Sequence, residues 1–166
     1  MPARTGKIDR RQGLLRGRFA PKSDAVNVPL YNKEILRLAA SIPYQDRLEV
    51  PMASVEKRSP ICGSRVTVDV NVDAAGRVSE IGMLVRACAL GQASSSLMAA
   101  HVVGRTPEEL AAARDALTAW LAGETETAPE WPGLELFGPA RAYSARHPSI
   151  RLAFEAAAEA AALARG

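Results

Sequence analysis

The chain carries two cysteines, Cys62 and Cys88, and two histidines, His101 and His147. A thiolate is both a nucleophile and a ligand for soft metals. Two thiols cannot by themselves fill a four-thiolate metal site, and they are too few for a disulfide scaffold. Gly63 follows the first cysteine and Gly91 comes shortly after the second, so the backbone can pass close to whatever the sulfurs hold. His147, just before Pro148, is either a helix-start residue or a third ligand. His101 reads as a helix-face residue without a metal role. Arg141, Arg146 and Arg151 make the surrounding segment basic. That suits an acidic partner, a sulfur-centred anion or a solvated face.

Other chemistries lack their residues. There is no G-x-G-x-x-G after a strand, no G-x-x-x-x-G-K-[ST] loop, no H-E-x-x-H and no G-x-S-x-G. Ser94, Ser95 and Ser96 have no evident histidine base and are explained by capping at a helix start.

The elements around the cysteines follow from apolar spacing. Val66, Val68, Val70 and Val72 alternate with Thr67, Asp69 and Asn71, which predicts a strand with one buried face. Asp73-Ala74-Ala75-Gly76 is a turn, and a second strand runs from Arg77 to Arg86, weakened by Gly82. Cys62 precedes the first strand and Cys88 follows the second. In an antiparallel hairpin those positions share one end, which puts their Cα atoms within about 10 Å. A helix opening at Ala93-Ser94-Ser95-Ser96 would then present its N-terminus to Cys88 and lower the thiol pKa. The plain alternative is two buried cysteines packing as small hydrophobes. Convergence at one hairpin end, beside Gly63 and Gly91, weighs against it.

Elsewhere, Leu30, Ile35, Leu38 and Ile42 predict a helix ending before Pro43. Asp46–Val50 reads as a short extended piece and Met52–Ser59 as a loop. Ser94–Val103 reads as a helix. Thr106-Pro107-Glu108-Glu109 opens another, with a capping box, and Gly123 ends it. Glu124–Gly138 reads as a loop, and Pro148–Ala164 as an alanine-rich helix.

Composition bounds the class. The 166 residues are 48% hydrophobic and 23% charged, which is ordinary for one globular domain. Aromatics at 5% argue against a base-stacking nucleic-acid platform. No apolar run reaches the ~18–20 residues of a membrane span. The net charge of +3 is uneven: residues 1–28 hold seven basic residues against Asp9 and Asp24, and the remainder is slightly acidic. We read residues 1–28 as a basic tail and 29–166 as a single domain. The tail lacks the apolar core of a secretory signal. A cytoplasmic setting, where the thiols stay reduced, is expected.

Taken together, the residues resemble the U-type iron–sulfur cluster scaffold family, the IscU, SufU and NifU amino-terminal group. The resemblance rests on Cys62-Gly63 before an alternating strand, on Val72-Asp73-x-x-Gly76-Arg77, and on Cys88 followed by Ser94-Ser95-Ser96 and then Gly104-Arg105. The Leu30-Tyr31 opening fits as well. The likeness spans about Leu30 to Ala161. Pro139-Ala140-Arg141 looks more like the SufU branch than the IscU branch. The family places an aspartate after its Cys-Gly pair, where this chain has Ser64. It places a third cysteine after the Pro-Ala-Arg segment, where the matching position looks like Ser144. Neutral serine is a poor ligand for zinc or iron.

The resemblance implies an α+β fold of the SufE/NifU-like kind, with a small antiparallel sheet of about three strands packed by helices. It implies a scaffold or sulfur acceptor rather than a turnover enzyme. Sulfur would come from a cysteine desulfurase, and iron or a transient [2Fe–2S] cluster would be held by Cys62 and Cys88 and passed to apo iron–sulfur proteins. Clusters usually take four thiolates, which a homodimer would supply. His147 as a third ligand is the other route. Two alternatives stay open: a sulfur-transfer partner of a desulfurase, zinc-bearing or not, with Cys62 or Cys88 carrying the persulfide, and a metal-free docking module.

Overall fold

The computed structural model describes Leu30–Gly166; the basic tail expected over residues 1–28 lies outside the described residues. Among the described residues, four helices and three strands follow in the order α1 (Lys33–Ala40), β1 (Ala53–Arg58), β2 (Arg65–Val72), β3 (Val78–Arg86), α2 (Ala89–His101), α3 (Pro107–Leu121) and α4 (His147–Arg165). Two 3-10 stretches, Leu134–Ala142 and Ser144–Arg146, lie between α3 and α4. The strands form one antiparallel sheet in the order β1-β2-β3. The expected α+β architecture is what the chain adopts.

The β2–β3 hairpin forms as its alternation predicts. Asp73 closes the turn by accepting from the amides of Ala75 at 2.9 Å and Arg77 at 3.0 Å. Gly76 supplies the positive φ of 80° that the turn needs. On one face Val66, Val68 and Val70 are fully buried beneath α4, which lies across β1 and β2. Small buried residues of α4, among them Ala153, Ala156, Ala157 and Ala160, let it approach the sheet closely. The opposite face was expected to be solvated, yet Thr67 and Asp69 are buried too. The reason is a strap between α1 and β1. Its Tyr44 carbonyl accepts from Met83 N at 2.8 Å along the outer edge of β3. The strap then crosses above Gly82, the partner of Asp69 in the register. A Cβ on Gly82 would meet Asp46 O at 2.5 Å and Leu48 N at 2.8 Å. Gly82 is therefore what admits the strap. The Asp69 carboxylate fastens it, accepting from Arg47 Nε at 2.6 Å, Arg47 Nη2 at 2.9 Å and Leu48 N at 3.0 Å.

Several expected boundaries are corrected. Asp46–Val50 is part of this strap and not a strand. The third strand is Ala53–Arg58, inside the segment read as a loop. As an edge strand it buries only Val55, and charged edges are how exposed strands avoid further pairing. Lys57, on the same face as Val55, pairs with Glu159 of α4 at 2.6 Å. Helix α1 is shorter than its apolar spacing predicts because Asn32 caps it, accepting from Ile35 N at 2.9 Å. Part of the expected loop after Gly123 is 3-10 helix packed against α3, and the residues just before it reach α2. Trp131 Nε1 donates to Leu97 O at 2.8 Å, and Leu134 and Phe137 are fully buried.

Helix α2 begins at Ala89 rather than at Ser94. The serines expected to cap it lie in its interior and are buried. Ser94 Oγ donates to Ile150 O of α4 at 2.5 Å, Ser95 Oγ to Gly91 O at 2.8 Å, and Ser96 Oγ to Ser41 O after α1 at 3.4 Å. Hydroxyls are tolerated here because each has an acceptor. The helix is enclosed on most sides, between α1 and α4.

Candidate functional site

Both cysteines lie beyond the same end of the hairpin. The last β2–β3 pair there is Arg65 with Arg86; Cys62 falls shortly before Arg65 and Cys88 shortly after Arg86. Cys88 is itself the N-cap of α2, with φ −67° and ψ 171° and no capping hydrogen bond from its side chain. Its sulfur therefore sits at the positive end of a helix. It is half-buried against the core, while Cys62 is exposed; both thiols are free.

Cys62 rides on the loop between β1 and β2, closed by Ser59 N donating to Ser64 O at 2.8 Å. Ser59 Oγ accepts from Ile61 N at 3.3 Å and Cys62 N at 3.4 Å, a serine turn that presents the cysteine at the loop tip. The Cys62 thiol donates to Ser64 Oγ at 3.1 Å. It shares a 2.9 Å hydrogen bond with Ser149 Oγ, in which either atom can donate. Once ionised, the sulfur can only accept. Partial burial pushes the thiol up, but the hydroxyls of Ser149, Ser59 and Ser64, with the Ser64 amide, outweigh it and bring Cys62 down to about 6. A substantial thiolate fraction at neutral pH makes it a nucleophile and a ligand.

Ser149 was not singled out in the sequence. It lies in the first turn of α4 and is 1% exposed. The same residue meets α2: a Cβ on Gly91 would lie 3.1 Å from Ser149 O and 2.7 Å from Ala87 Cβ. Gly91 thus lets the starts of α2 and α4 cross in close contact, with Ser94 Oγ on Ile150 O beside it. The Cys88 end of α2 and the hydroxyl that touches Cys62 are held by one helix crossing. The available signal was that Pro148 marks a helix start, so that Ser149 must be a first-turn hydroxyl.

The remaining expected residues separate. Ser64 is buried and touches Cys62. Ser144 is exposed in a 3-10 turn, and the hydroxyl that reaches Cys62 is that of Ser149 instead. His147 is buried, with Nε2 against the carbonyl oxygens of Ala140 at 3.0 Å and Arg141 at 3.2 Å. Such a nitrogen donates, so the ring braces the 3-10 segment onto α4. The structure does not gather His147 with the two cysteines: among the described residues, no three His, Cys, Asp or Glu side chains cluster as a metal site. Arg141 is also occupied, donating to Trp120 O at 2.8 Å and Thr125 O at 3.0 Å. This end of the hairpin carries Cys62 among the hydroxyls of Ser59, Ser64 and Ser149, and Cys88 at the start of α2.

Comparisons with known proteins bear on this arrangement. The family model for NifU-like N-terminal domains matches residues 30–127. Among solved structures, the chain is similar to the N-terminal part of a nitrogen-fixing NifU-like protein from Brucella abortus. The two are 42% identical with a TM-score of 0.76, over 81% of this chain and 93% of that one. It shares its fold with a proposed iron–sulfur cluster assembly scaffold protein for the SUF system from thermophilic Fervidobacterium islandicum. There the identity is 20% and the TM-score 0.72, over 80% of this chain and 96% of that one. The comparison with curated proteins returned no match.

Proposed function

We propose, since the chain belongs to the family of NifU-like N-terminal domains, that it serves as an iron–sulfur cluster assembly scaffold, taking iron and sulfide as cargo on Cys62 and Cys88. The observation that carries this reading is the convergence of the chain's only two cysteines at one end of the β2–β3 hairpin, with Cys62 hydrogen-bonded by hydroxyls on several sides. Thiolates are the ligands that iron–sulfur clusters prefer. Serine hydroxyls at Ser64 and Ser149 would not replace them, so one chain offers two ligands where a [2Fe–2S] cluster usually takes four. Two chains sharing one cluster through Cys62 and Cys88 of each meet that number. The exposure of Cys62 leaves the cargo open to release to an apo iron–sulfur protein.

A sulfur-acceptor step fits the same geometry and is favoured by the exposed, acidic thiol of Cys62. Its thiolate attacks the outer sulfur of a cysteine desulfurase persulfide. A new S–S bond forms on Cys62 as the desulfurase S–S bond breaks. The desulfurase cysteine leaves as thiolate, and the proton stays on the transferred sulfur. Zinc in place of iron belongs to this second reading, in which the protein hands on sulfur without building a cluster.

The test is iron, acid-labile sulfide and zinc per chain after anaerobic reconstitution, with the visible spectrum, for wild type, Cys62→Ala and Cys88→Ala. About one iron and one sulfide per chain, with visible absorption lost in both variants, is expected for a shared [2Fe–2S] cluster. Zinc alone would turn the reading to sulfur transfer. No metal or sulfide in the wild type would leave a docking module.

A further inference from the structure

The register of the sheet places three arginines in one row at the site end. Arg58 of β1 is opposite Arg65 of β2, and Arg65 is opposite Arg86 of β3. Directly opposite side chains share a face and have Cβ atoms roughly 5 Å apart. All three lie on the face turned away from α4, since Val66 of β2 faces the helix and successive side chains alternate. Arg58 and Arg86 are exposed and Arg65 is half-buried. Glu56 pairs with Arg58 and lies diagonal to Arg65, whose charge it also feels. Arg65 and Arg86 take part in no ion pair among the described residues.

Like charges directly opposite on adjacent strands destabilise a sheet. The row lies at the same end of the sheet as the thiols, since Cys62 precedes Arg65 and Cys88 follows Arg86 in the chain, but on the face opposite α4, against which the Cys62 sulfur packs. Ile61, beside Cys62, is 64% exposed. An exposed aliphatic residue on the loop that joins the strands of the row, with two arginines free of ion pairs, has the composition of an interface centre, where arginine is enriched because its planar fork holds carboxylates bidentately. We infer that the row Arg58–Arg65–Arg86, with Ile61, is a docking surface for an acidic segment of a partner protein, holding that partner against the Cys62–Cys88 end. The inference rests on the scaffold reading for why a partner must come to this end, and on the register alone for the surface itself.

The probe is a fluorescein-labelled octaglutamate peptide, followed by anisotropy with the full chain at rising salt. Because residues 1–28 are also basic, Arg10→Glu/Arg11→Glu is run beside Arg65→Glu/Arg86→Glu. The single variant Arg86→Glu, at an exposed position, guards against a folding defect, and cooperative thermal unfolding checks each protein. We expect the paired row variant to weaken the peptide at least tenfold, the single variant less, and the tail variant little. The salt dependence should be shallower once the row is reversed. Wild type without binding, or a loss confined to the tail variant, would overturn the inference. So would tighter row-dependent binding of polyuridylate than of octaglutamate, because the partner would then be nucleic acid. Chemical reconstitution with iron and sulfide needs no partner and should be unchanged in Arg86→Glu. Failure of the scaffold reading would show there, in the wild type, and failure of the docking surface in the anisotropy.

Discussion

At the scale of single residues, Ser149 acts on Cys62 as a hydrogen-bond partner and not as a replacement for a missing ligand. A hydroxyl at 2.9 Å stabilises a thiolate by donating a hydrogen bond and leaves the sulfur as the ligand. The Cys62 alkylation rate should rise with pH around about 6, well below the ~8.5 of an unperturbed thiol. Ser149→Ala removes one of several donors, so the midpoint should move up by about one pH unit. Iodoacetamide labelling read at the Cys62 peptide by mass spectrometry measures both, and a midpoint that ignores the substitution would remove Ser149 from the account. Linkage gives the sign for stability. A thiol depressed in the folded state stabilises the fold above its unfolded value near 8.5, and that contribution is lost as pH falls through about 6.

At the scale of elements, the strap over the sheet depends on one carboxylate and one glycine. Asp69 is fully buried and Arg47 is 48% exposed. Burial pushes the Asp69 carboxyl up, but Arg47, Ser54 and the Leu48 amide outweigh it and hold the group below the usual carboxylate range. Asp69→Asn should cost about 2 kcal/mol, less than the ~3–5 kcal/mol of a fully buried pair because Arg47 reaches water. The contribution is present above the unfolded pKa of ~3.9 and is lost as pH falls through the lower folded value. Urea midpoints of wild type and variant should therefore differ at pH 7 and converge in acid. The hairpin and the capped helix α3 were legible because valine alternation and Thr106-Pro107-x-Glu109 are local signals. The edge strand was not, since Ala53–Arg58 needs only one apolar residue against the core. The start of α2 was missed for a related reason. Ser94–Ser96 mimic a cap locally, and the acceptors on Ile150 of α4 and on Ser41 just after α1 are distant in sequence. That both cysteines lie beyond one hairpin end could be read from spacing, whereas the Cys62–Ser149 contact spans 87 residues and belongs to the tertiary packing.

At the scale of the whole molecule, one apolar core carries the sheet and helices, and both thiols lie at one end of the sheet. The arginine row and the thiols share that end, so partner and cargo would arrive at the same place. Among the described residues no helix is long and apolar enough to cross a membrane. The ligand count makes the central claim about assembly state: a single chain brings two thiols, and the cluster takes four. Native mass spectrometry of the anaerobically reconstituted protein tests this most directly. The account predicts a dimer carrying one Fe2S2 unit, reverting to bare monomer when either Cys62 or Cys88 is changed to alanine. A monomer that holds the intact Fe2S2 unit, or a dimer that keeps it without Cys62, would contradict it.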